Sequence, residues 1–170
     1  MTPGLRKFAL TAHVTSSVGW LGAVAGFLAL AVAGLTGRDA QTVRAAYLTM
    51  EMITWFVIVP LSLGSLLTGL VQSLGTPWGL FRHYWVLVKF LLTILAIAIL
   101  LVHTRPISHM AGVAAETTLS GADLRGLRVQ LVADAAVALL VLLVNTTLSV
   151  YKPRGMTRYG RRKQHGQRAS

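Results

Sequence analysis

Ionisable side chains inside otherwise uncharged segments are the features of this sequence that most directly suggest chemistry. His13 lies in a stretch from residue 8 to residue 37 without Asp, Glu, Lys or Arg, and Lys89 is the single charge between residues 83 and 104. Such side chains are energetically costly in apolar segments and are usually retained for function. The chain has 5 His and no Cys, so imidazole is its best ligand for a borderline or soft metal ion.

A second group of ionisable side chains lies towards the opposite ends of the apolar segments. It contains Glu51, His103 and Asp134. An unpaired carboxylate in such a place would be costly or protonated, so we expect Glu51 and Asp134 to have basic partners. The candidates are Arg44, Arg105 and Arg128. For the two carboxylates, a structural role and a chemical role are equally plausible.

The environment of these side chains follows from composition. Of the 170 residues, 54% are hydrophobic and only 12% are charged, and the mean hydropathy is +0.64. Soluble domains carry about 25% charged residues, and disordered chains combine low hydrophobicity with high charge. The composition therefore excludes both classes and predicts an integral membrane protein.

Several apolar segments are long enough to cross the ~30 Å hydrocarbon core of a bilayer as helices. The first two connections between them are short, which favours antiparallel packing of consecutive helices. The predicted fold is all-α, an integral membrane antiparallel four-helix bundle. We place the helices at about 10–33, 50–74, 84–104 and 128–150, in a membrane domain of residues 1–151 that is followed by a basic tail, residues 152–170.

The basic tail supplies much of the net charge of +11. A basic segment directly after an apolar one is typical of contact with anionic lipid headgroups, and no signature of a nucleic-acid-binding fold accompanies it. Because four helices place both termini on one side, the positive-inside rule predicts cytoplasmic termini. We therefore expect a multi-pass protein of the plasma membrane whose tail contacts anionic lipid and not nucleic acid.

Each predicted helix carries one polar face at the i, i+3, i+4 and i+7 spacing of an α-helix. Polar groups normally face the interior of a membrane bundle, so these faces should meet inside. They contain His13, Ser16, Ser17 and Trp20; Glu51, Thr54, Ile58, Ser65 and Gln72; Trp85, Lys89, Thr93, Ala96 and His103; and Gln130, Asp134, Ala138, Val141, Asn145 and Ser149. For the Ser, Thr and Gly residues we favour a packing role, with Gly22 and Gly26 allowing close helix approach in a GxxxG arrangement.

Depth along the helices separates the polar residues into two layers. His13 and Lys89 lie near the end that carries the termini, with Arg82 and His83 just beyond Lys89. Glu51, His103 and Asp134 belong to the opposite end. His83 and His103 are about 30 Å apart along one helix and cannot serve one cofactor. A haem with two axial His ligands would therefore use His13 and His83.

Segments of the first three helices resemble a known family. AHVTSSVGWLGAVAG is similar to the His, Trp, Gly pattern that opens HemJ-type protoporphyrinogen oxidases and the related CopD-like small membrane proteins. YLTMEMITWFVIVP, which contains Met50 and Glu51, resembles the Tyr, Met and Glu pattern that precedes an apolar helix and a Pro in the same family. HYWVLVKFLLTILAIAILLVH is similar to the third family helix, with Lys89 at the position of the family lysine. The likeness extends to a bacterial family of predicted small integral membrane proteins.

The resemblance implies a bundle that binds haem b, with His13 at the family's ligand position and Trp20 in the same motif. With His13 as one metal ligand, we expect His83 to be the second. Lys89 or Arg82 would pair with the haem propionates, because a buried carboxylate needs a partner of opposite charge. The implied role is a redox or haem-related one in a bacterial plasma membrane.

The chain departs from the family at two positions. The oxidases carry a His two residues before the lysine, where this chain has Leu87, and a basic residue after the Glu, where Met52 and Ile53 stand. His83 precedes Leu87 by one helical turn. If the protein is an enzyme, the resemblance implies a haem-dependent oxidoreductase of the protoporphyrinogen oxidase type, with weak or no oxidation of that substrate.

Other functions stay open at this point. A small proton- or ion-coupled transporter subunit would use Glu51, Asp134 and Lys89 as a relay. A non-catalytic structural or accessory subunit would use the polar faces only to hold helices together. A homo-oligomer or a membrane redox partner is compatible with each. A Soret absorbance band separates the haem protein from the rest.

Overall fold

The computed structural model describes residues 2–75, 83–115, 122–151 and 157. Arg82 and, apart from residue 157, the basic tail lie outside these residues. The helices are α1 (Pro3–Thr36), α2 (Ala40–Ile53), α3 (Val59–Gly75), α4 (Tyr84–Ala115) and α5 (Ala122–Tyr151). A π-helical turn, Thr54–Ile58, joins α2 to α3, so α2, the turn and α3 form one continuous rod.

The described chain thus contains 4 helical rods, each long and apolar enough to cross a membrane. The all-α prediction is confirmed, and the rods are those of a multi-pass membrane protein. The rod of α1 packs against the α2–α3 rod and against α5, and α4 packs against the same two rods. Consecutive rods are therefore neighbours, and α1 lies across the bundle from α4.

The two ends of the bundle have different connections. We call the end with Pro3, Gly75, Tyr84 and Tyr151 the terminal end, and the end with Thr36, Ala40, Ala115 and Ala122 the hairpin end. At the hairpin end Asp39 caps α2, because its carboxylate accepts hydrogen bonds from the backbone N of Thr42 at 2.8 Å and from the Thr42 hydroxyl at 2.7 Å. Both bonds lower the pKa of the Asp39 carboxyl, and the bond from the Thr42 hydroxyl has the larger effect. They also fix the short connection between α1 and α2.

The core lies mainly towards the hairpin end. Tyr47, Met50 and Met110 are almost completely buried, and Leu131 packs with them. To reach this core, α2 begins at Ala40 and α4 continues through Pro106 to Ala115, well beyond the segments placed at 50–74 and 84–104. The extensions carry charged residues on one side and apolar ones on the other, which a search for uncharged segments misses.

The glycines that allow close packing are not those of the expected GxxxG pair. Gly22 and Gly26 are exposed, and a Cβ added to either would meet nothing within 4 Å. A Cβ on Gly34 would instead lie 2.7 Å from the Tyr47 ring, and one on Gly19 would lie 3.1 Å from Leu61. The GxxxG expectation was wrong because that face of α1 points out of the bundle, where its small residues meet no neighbouring helix.

The break between α2 and α3 has a local cause. Pro60 has no N–H to donate, so the preceding turn cannot keep its regular hydrogen bonding. The chain widens into the π turn, in which the N–H of Val59 donates to the Thr54 carbonyl, and the Thr54 hydroxyl donates to the Met50 carbonyl at 2.7 Å. The rod thereby stays helical across the interruption that Pro60 causes.

Candidate functional site

A cavity of about 740 Å³ lies at the terminal end between α1, α3, α4 and α5. This volume falls within the range of about 300–1,000 Å³ that small-molecule and cofactor sites occupy. Apolar atoms form most of its wall, and nine of the residues that line it are leucine, valine or phenylalanine. The polar and tryptophan side chains that line it are Arg6, His13, Ser17, Trp20, Ser65, Gln72, Ser73, Trp85, Lys89, Thr93, Asn145, Thr146 and Ser149.

Hydrogen bonds join α1 to α3 along one side of the cavity. The contacts are Ser17 Oγ with Ser65 Oγ at 2.8 Å, His13 Nδ1 with Thr68 Oγ1 at 3.1 Å, and Gln72 Nε2 donating to the Ala9 carbonyl at 2.9 Å. They follow one another at about one helical turn, in opposite directions along the two helices. This wall is therefore an antiparallel pair held in a fixed register.

The imidazole of His13 has a defined tautomer in this wall. Its Nδ1 lies 3.1 Å from the carbonyl oxygen of Ser65, which can only accept, so Nδ1 carries the hydrogen. The Thr68 hydroxyl gives its own hydrogen to the Gly64 carbonyl at 2.6 Å and therefore accepts from the same Nδ1. The other nitrogen, Nε2, keeps a lone pair and has no hydrogen bond within the described part of the chain. A histidine fixed through Nδ1 is the usual arrangement of a metal-ligating imidazole.

Gly69 makes room for this ring. A Cβ at Gly69 would lie 3.1 Å from Cε1 and 3.5 Å from Nδ1 of His13. The first distance is shorter than ordinary van der Waals contact, so any larger residue would push the imidazole away from Ser65. The absence of a side chain at Gly69 is therefore part of how the site holds His13.

A second set of hydrogen bonds joins α4 to α5 on the other side of the cavity. Asn145 Nδ2 donates to Thr93 Oγ1 at 2.9 Å, and Thr93 Oγ1 donates to the Lys89 carbonyl at 2.9 Å. The Oδ1 atom of Asn145 is buried and has no hydrogen-bond partner. The Lys89 side chain lines the cavity and forms no ion pair or hydrogen bond with any residue that the structure describes.

Trp20 forms the floor of the cavity. It is 4% exposed, and the next buried residues along α1 are Val24 and Phe27, both in the hydrophobic core. Leu142 of α5 lines the cavity and belongs to the same core. The cavity is therefore closed towards the hairpin end by packed apolar side chains.

The structure brings together only part of the expected site. His13, Trp20 and Lys89 line the cavity, whereas His83 does not, although its ring lies 6.4 Å from that of the lining residue Trp85. Arg82 lies outside the described residues. Arg6 lines the cavity, but the sequence analysis did not single it out. Its position about two helical turns before His13, on the same face of α1, could have indicated that it belongs to the site.

The remaining polar residues lie in the hairpin-end half. Asp134 pairs with His103, with Oδ2 at 3.0 Å from Nε2, and Nδ1 of His103 lies 2.8 Å from the Ile99 carbonyl. The partner of Asp134 is thus a histidine on α4 and not one of the arginines we expected. Met50 is buried in the core and Glu51 is half-buried beside it. None of these residues reaches the cavity.

No family model, curated protein or solved structure matches this chain. Within the ranges that the structure describes, no three His, Asp or Glu side chains come together as a metal site would require. A tetrapyrrole brings four nitrogen ligands of its own and needs one or two from the protein.

Proposed function

We propose that this protein binds haem b in the terminal-end cavity and has a redox or haem-related role, with His13 as an axial ligand. The observation that carries the proposal is the state of the His13 imidazole. Its Nδ1 is held by the Ser65 carbonyl and Thr68, its Nε2 keeps a lone pair without a hydrogen bond in the described part of the chain, and the residue lines the cavity. Haem, when bound, would supply one-electron chemistry at its iron.

The rest of the cavity suits the same group. Its volume and its largely apolar wall suit a flat hydrophobic cofactor, and Trp20 and Trp85 add aromatic surface. The two propionates need cationic partners, which Lys89 inside the cavity and Arg6 in its lining provide. Arg82 is a further candidate from the sequence.

The proposal has two forms, which differ in whether the protein supplies a second ligand to the haem iron. His83 was the ligand suggested by the sequence, but the cavity lining does not include it. The lining therefore favours His13 as the one protein ligand that would hold the haem iron.

The setting we propose is a bacterial plasma membrane with both termini in the cytoplasm. The basic tail would contact anionic lipid headgroups, and the protein would form a homo-oligomer or associate with a membrane redox partner. If the protein is an enzyme, it is a haem-dependent oxidoreductase of the protoporphyrinogen oxidase type. Leu87, Met52 and Ile53 stand where the oxidases carry His and basic residues, so we expect that activity to be weak or absent.

The packing supports this function over an ion-coupled transporter subunit. A relay would need Lys89 to communicate with Asp134, whose partner His103 lies about 21 Å further along α4 than Lys89. Between these depths lie Ile97 on α4 and Leu142 on α5, both buried in the core. The cavity also ends at Trp20, so its polar residues and the His103–Asp134 pair form separate layers.

An absorbance spectrum tests the proposal. The protein is purified in detergent, supplied with ferric haem, passed through a desalting column and scanned before and after addition of dithionite. We expect a Soret band that shifts on reduction together with visible bands of a b-type haem. A protein that retains no haem under these conditions would remove the proposal and leave the transporter and accessory functions.

A further inference from the structure

The hydrogen bonds at Thr93 orient the amide of Asn145. Thr93 Oγ1 uses its single hydrogen on the Lys89 carbonyl, so towards Asn145 it can only accept. The NH₂ group of Asn145 must therefore face Thr93, which directs Oδ1 elsewhere. Asn145 is 8% exposed and Oδ1 is without a partner. A buried acceptor left in this state costs free energy unless a donor arrives from outside the chain.

Lys89 has the complementary deficiency, because its ammonium group has no counter-charge among the described residues. The chain contains only 5 acidic residues. Asp39 caps α2, Glu51 lies in the last turn of α2, and Asp134 pairs with His103. The other two, Glu116 and Asp123, flank the α4–α5 connection in the sequence. No acidic residue occurs in the sequence of α1, α3 or α4, and none of the residues of α5 that line the cavity is acidic. Within the part of the chain that the structure describes, a ligand is therefore the available source of an anion for Lys89.

The cation and the acceptor share one wall. Lys89 and Thr93 are one helical turn apart on α4, and Asn145 is bonded to Thr93. His13 belongs to the opposite wall, where α1 meets α3. A ligand in the cavity therefore meets an imidazole on one side and, on the other, a cation beside a hydrogen-bond acceptor.

We propose that Lys89 and Asn145 form an acid-binding site. It takes an amphiphile whose head group carries one negative oxygen, which pairs with Lys89, and an adjacent acidic O–H, which donates to Asn145 Oδ1. A fully ionised carboxylate has no hydrogen to give, and a neutral ester has no charge. The matching groups are two carboxyls that share one proton, as the propionic groups of a haem can, and a singly ionised phosphate monoester, as in a diacyl phosphatidic acid.

The low polarity of the cavity explains why the acid would keep its proton. One lysine neutralises one negative charge, and a second charge in an apolar cavity would be uncompensated and costly. A proton on the second oxygen removes that charge and at the same time supplies the donor that Asn145 lacks. The site therefore selects an acid by charge and by hydrogen bonding together.

Two pairs of ligands test this inference in the full-length protein. The first pair is ferric haem b and its dimethyl ester, measured by quenching of tryptophan fluorescence, since Trp20 and Trp85 line the cavity. The second pair is dioleoyl phosphatidic acid and dioleoyl phosphatidylcholine, measured by native mass spectrometry. We expect the acid to bind about tenfold or more tightly than its uncharged or zwitterionic counterpart in at least one pair.

Variants assign the preference to the two residues. Lys89→Met should remove the preference, and so should Asn145→Asp, which keeps the shape but places a carboxylate beside Lys89. Lys7→Met and Thr147→Val are the matched controls. Lys7 on α1 and Thr147 on α5 are exposed and lie on helices that also carry cavity residues. Both controls should retain the preference for the acid.

The outcomes separate this inference from the haem proposal. Equal binding of acid and counterpart in both pairs, or a preference that survives Lys89→Met and Asn145→Asp, overturns the acid-binding site. A second outcome also overturns the acid-binding site but leaves the proposed function in place. In that outcome haem and its dimethyl ester both bind through His13 with equal affinity, and phosphatidic acid is not preferred over phosphatidylcholine. Selective binding of phosphatidic acid without any haem binding removes the haem proposal alone.

Discussion

The imidazole of His13 on α1 donates through Nδ1 to the backbone carbonyl of Ser65 on α3, at 3.1 Å. The orientation of a potential ligand on one helix is thus set by the main chain of another. Ser17, one turn further along α1, bonds the Ser65 hydroxyl at 2.8 Å. The bonds that hold the two helices together are therefore the same bonds that orient the imidazole of His13, a residue of the cavity lining.

Replacement of His13 tests its role as a ligand. In His13→Ala the axial nitrogen is lost, and we expect the Soret band of the haem-supplied protein to disappear while the far-ultraviolet helical signal is kept. The control is His103→Ala, which removes an imidazole from the opposite layer and should leave the band unchanged. His83→Ala should have at most a small effect, because His83 does not line the cavity. A full Soret band in His13→Ala would show that the ligand lies elsewhere.

Gly69 provides a test of His13 orientation without touching the imidazole itself. Gly69→Ala places a Cβ 3.1 Å from Cε1 of His13, which should displace the ring and weaken haem binding by about 1 kcal/mol, roughly fivefold. Gly22→Ala is the control, since its Cβ would meet nothing within 4 Å. Haem titrations followed at the Soret maximum compare the two. Equal affinity in Gly69→Ala and wild type would mean that the ring tolerates the contact or is not the ligand.

The sequence was sufficient for the fold class and for the residues that face inward. Charge-free segments located the membrane rods, and helical spacing selected His13, Trp20 and Lys89, which the structure places around one cavity. Both inferences depend on strong, local physical constraints: the cost of charge in lipid and the geometry of a single helix.

The sequence was not sufficient for contacts between helices. Helical spacing cannot show whether Gly22 or Gly34 faces a neighbour, and only Gly34 does. Nor does it fix which basic residue reaches Asp134, since His103 and several arginines lie at comparable depth. These choices depend on the rotation of each rod about its own axis, which is set by packing of all four together.

Gly34 tests the packing of the hairpin-end core. A Cβ at Gly34 would lie 2.7 Å from Cζ and 2.9 Å from the hydroxyl of Tyr47, whose side chain is fully buried. We expect Gly34→Ala to lower the free energy of unfolding by about 1–3 kcal/mol through overpacking. Gly26→Ala, on the outward face of the same helix, should be neutral or slightly stabilising, because alanine favours helix more than glycine does. Unfolding by sodium dodecyl sulfate, followed by circular dichroism, measures both; equal stabilities would contradict the observed rotation of α1.

The His103–Asp134 pair tests the separation of the two layers. Asp134→Leu breaks an interaction between half-exposed side chains, and we expect a loss of roughly 1 kcal/mol of stability. The Soret spectrum should not change, because neither residue lines the cavity. Asp134→Asn, which keeps a hydrogen-bonding oxygen, should be less destabilised than Asp134→Leu in the same unfolding assay. Loss of haem with full stability would contradict the division into layers.

Single cysteines test the orientation of the bundle in the membrane. The chain contains no Cys, so an introduced thiol gives an unambiguous label. The start of α1 and the end of α5 both lie at the terminal end, and the basic tail favours the cytoplasmic side through the positive-inside rule. We expect a membrane-impermeant maleimide applied to intact cells to label Ser120→Cys and not Ser170→Cys, with both labelled after the cells are opened. The reverse pattern would place the terminal end, with its cavity and Arg6, on the outer side of the membrane. An acid or haem would then reach the cavity from outside the cell.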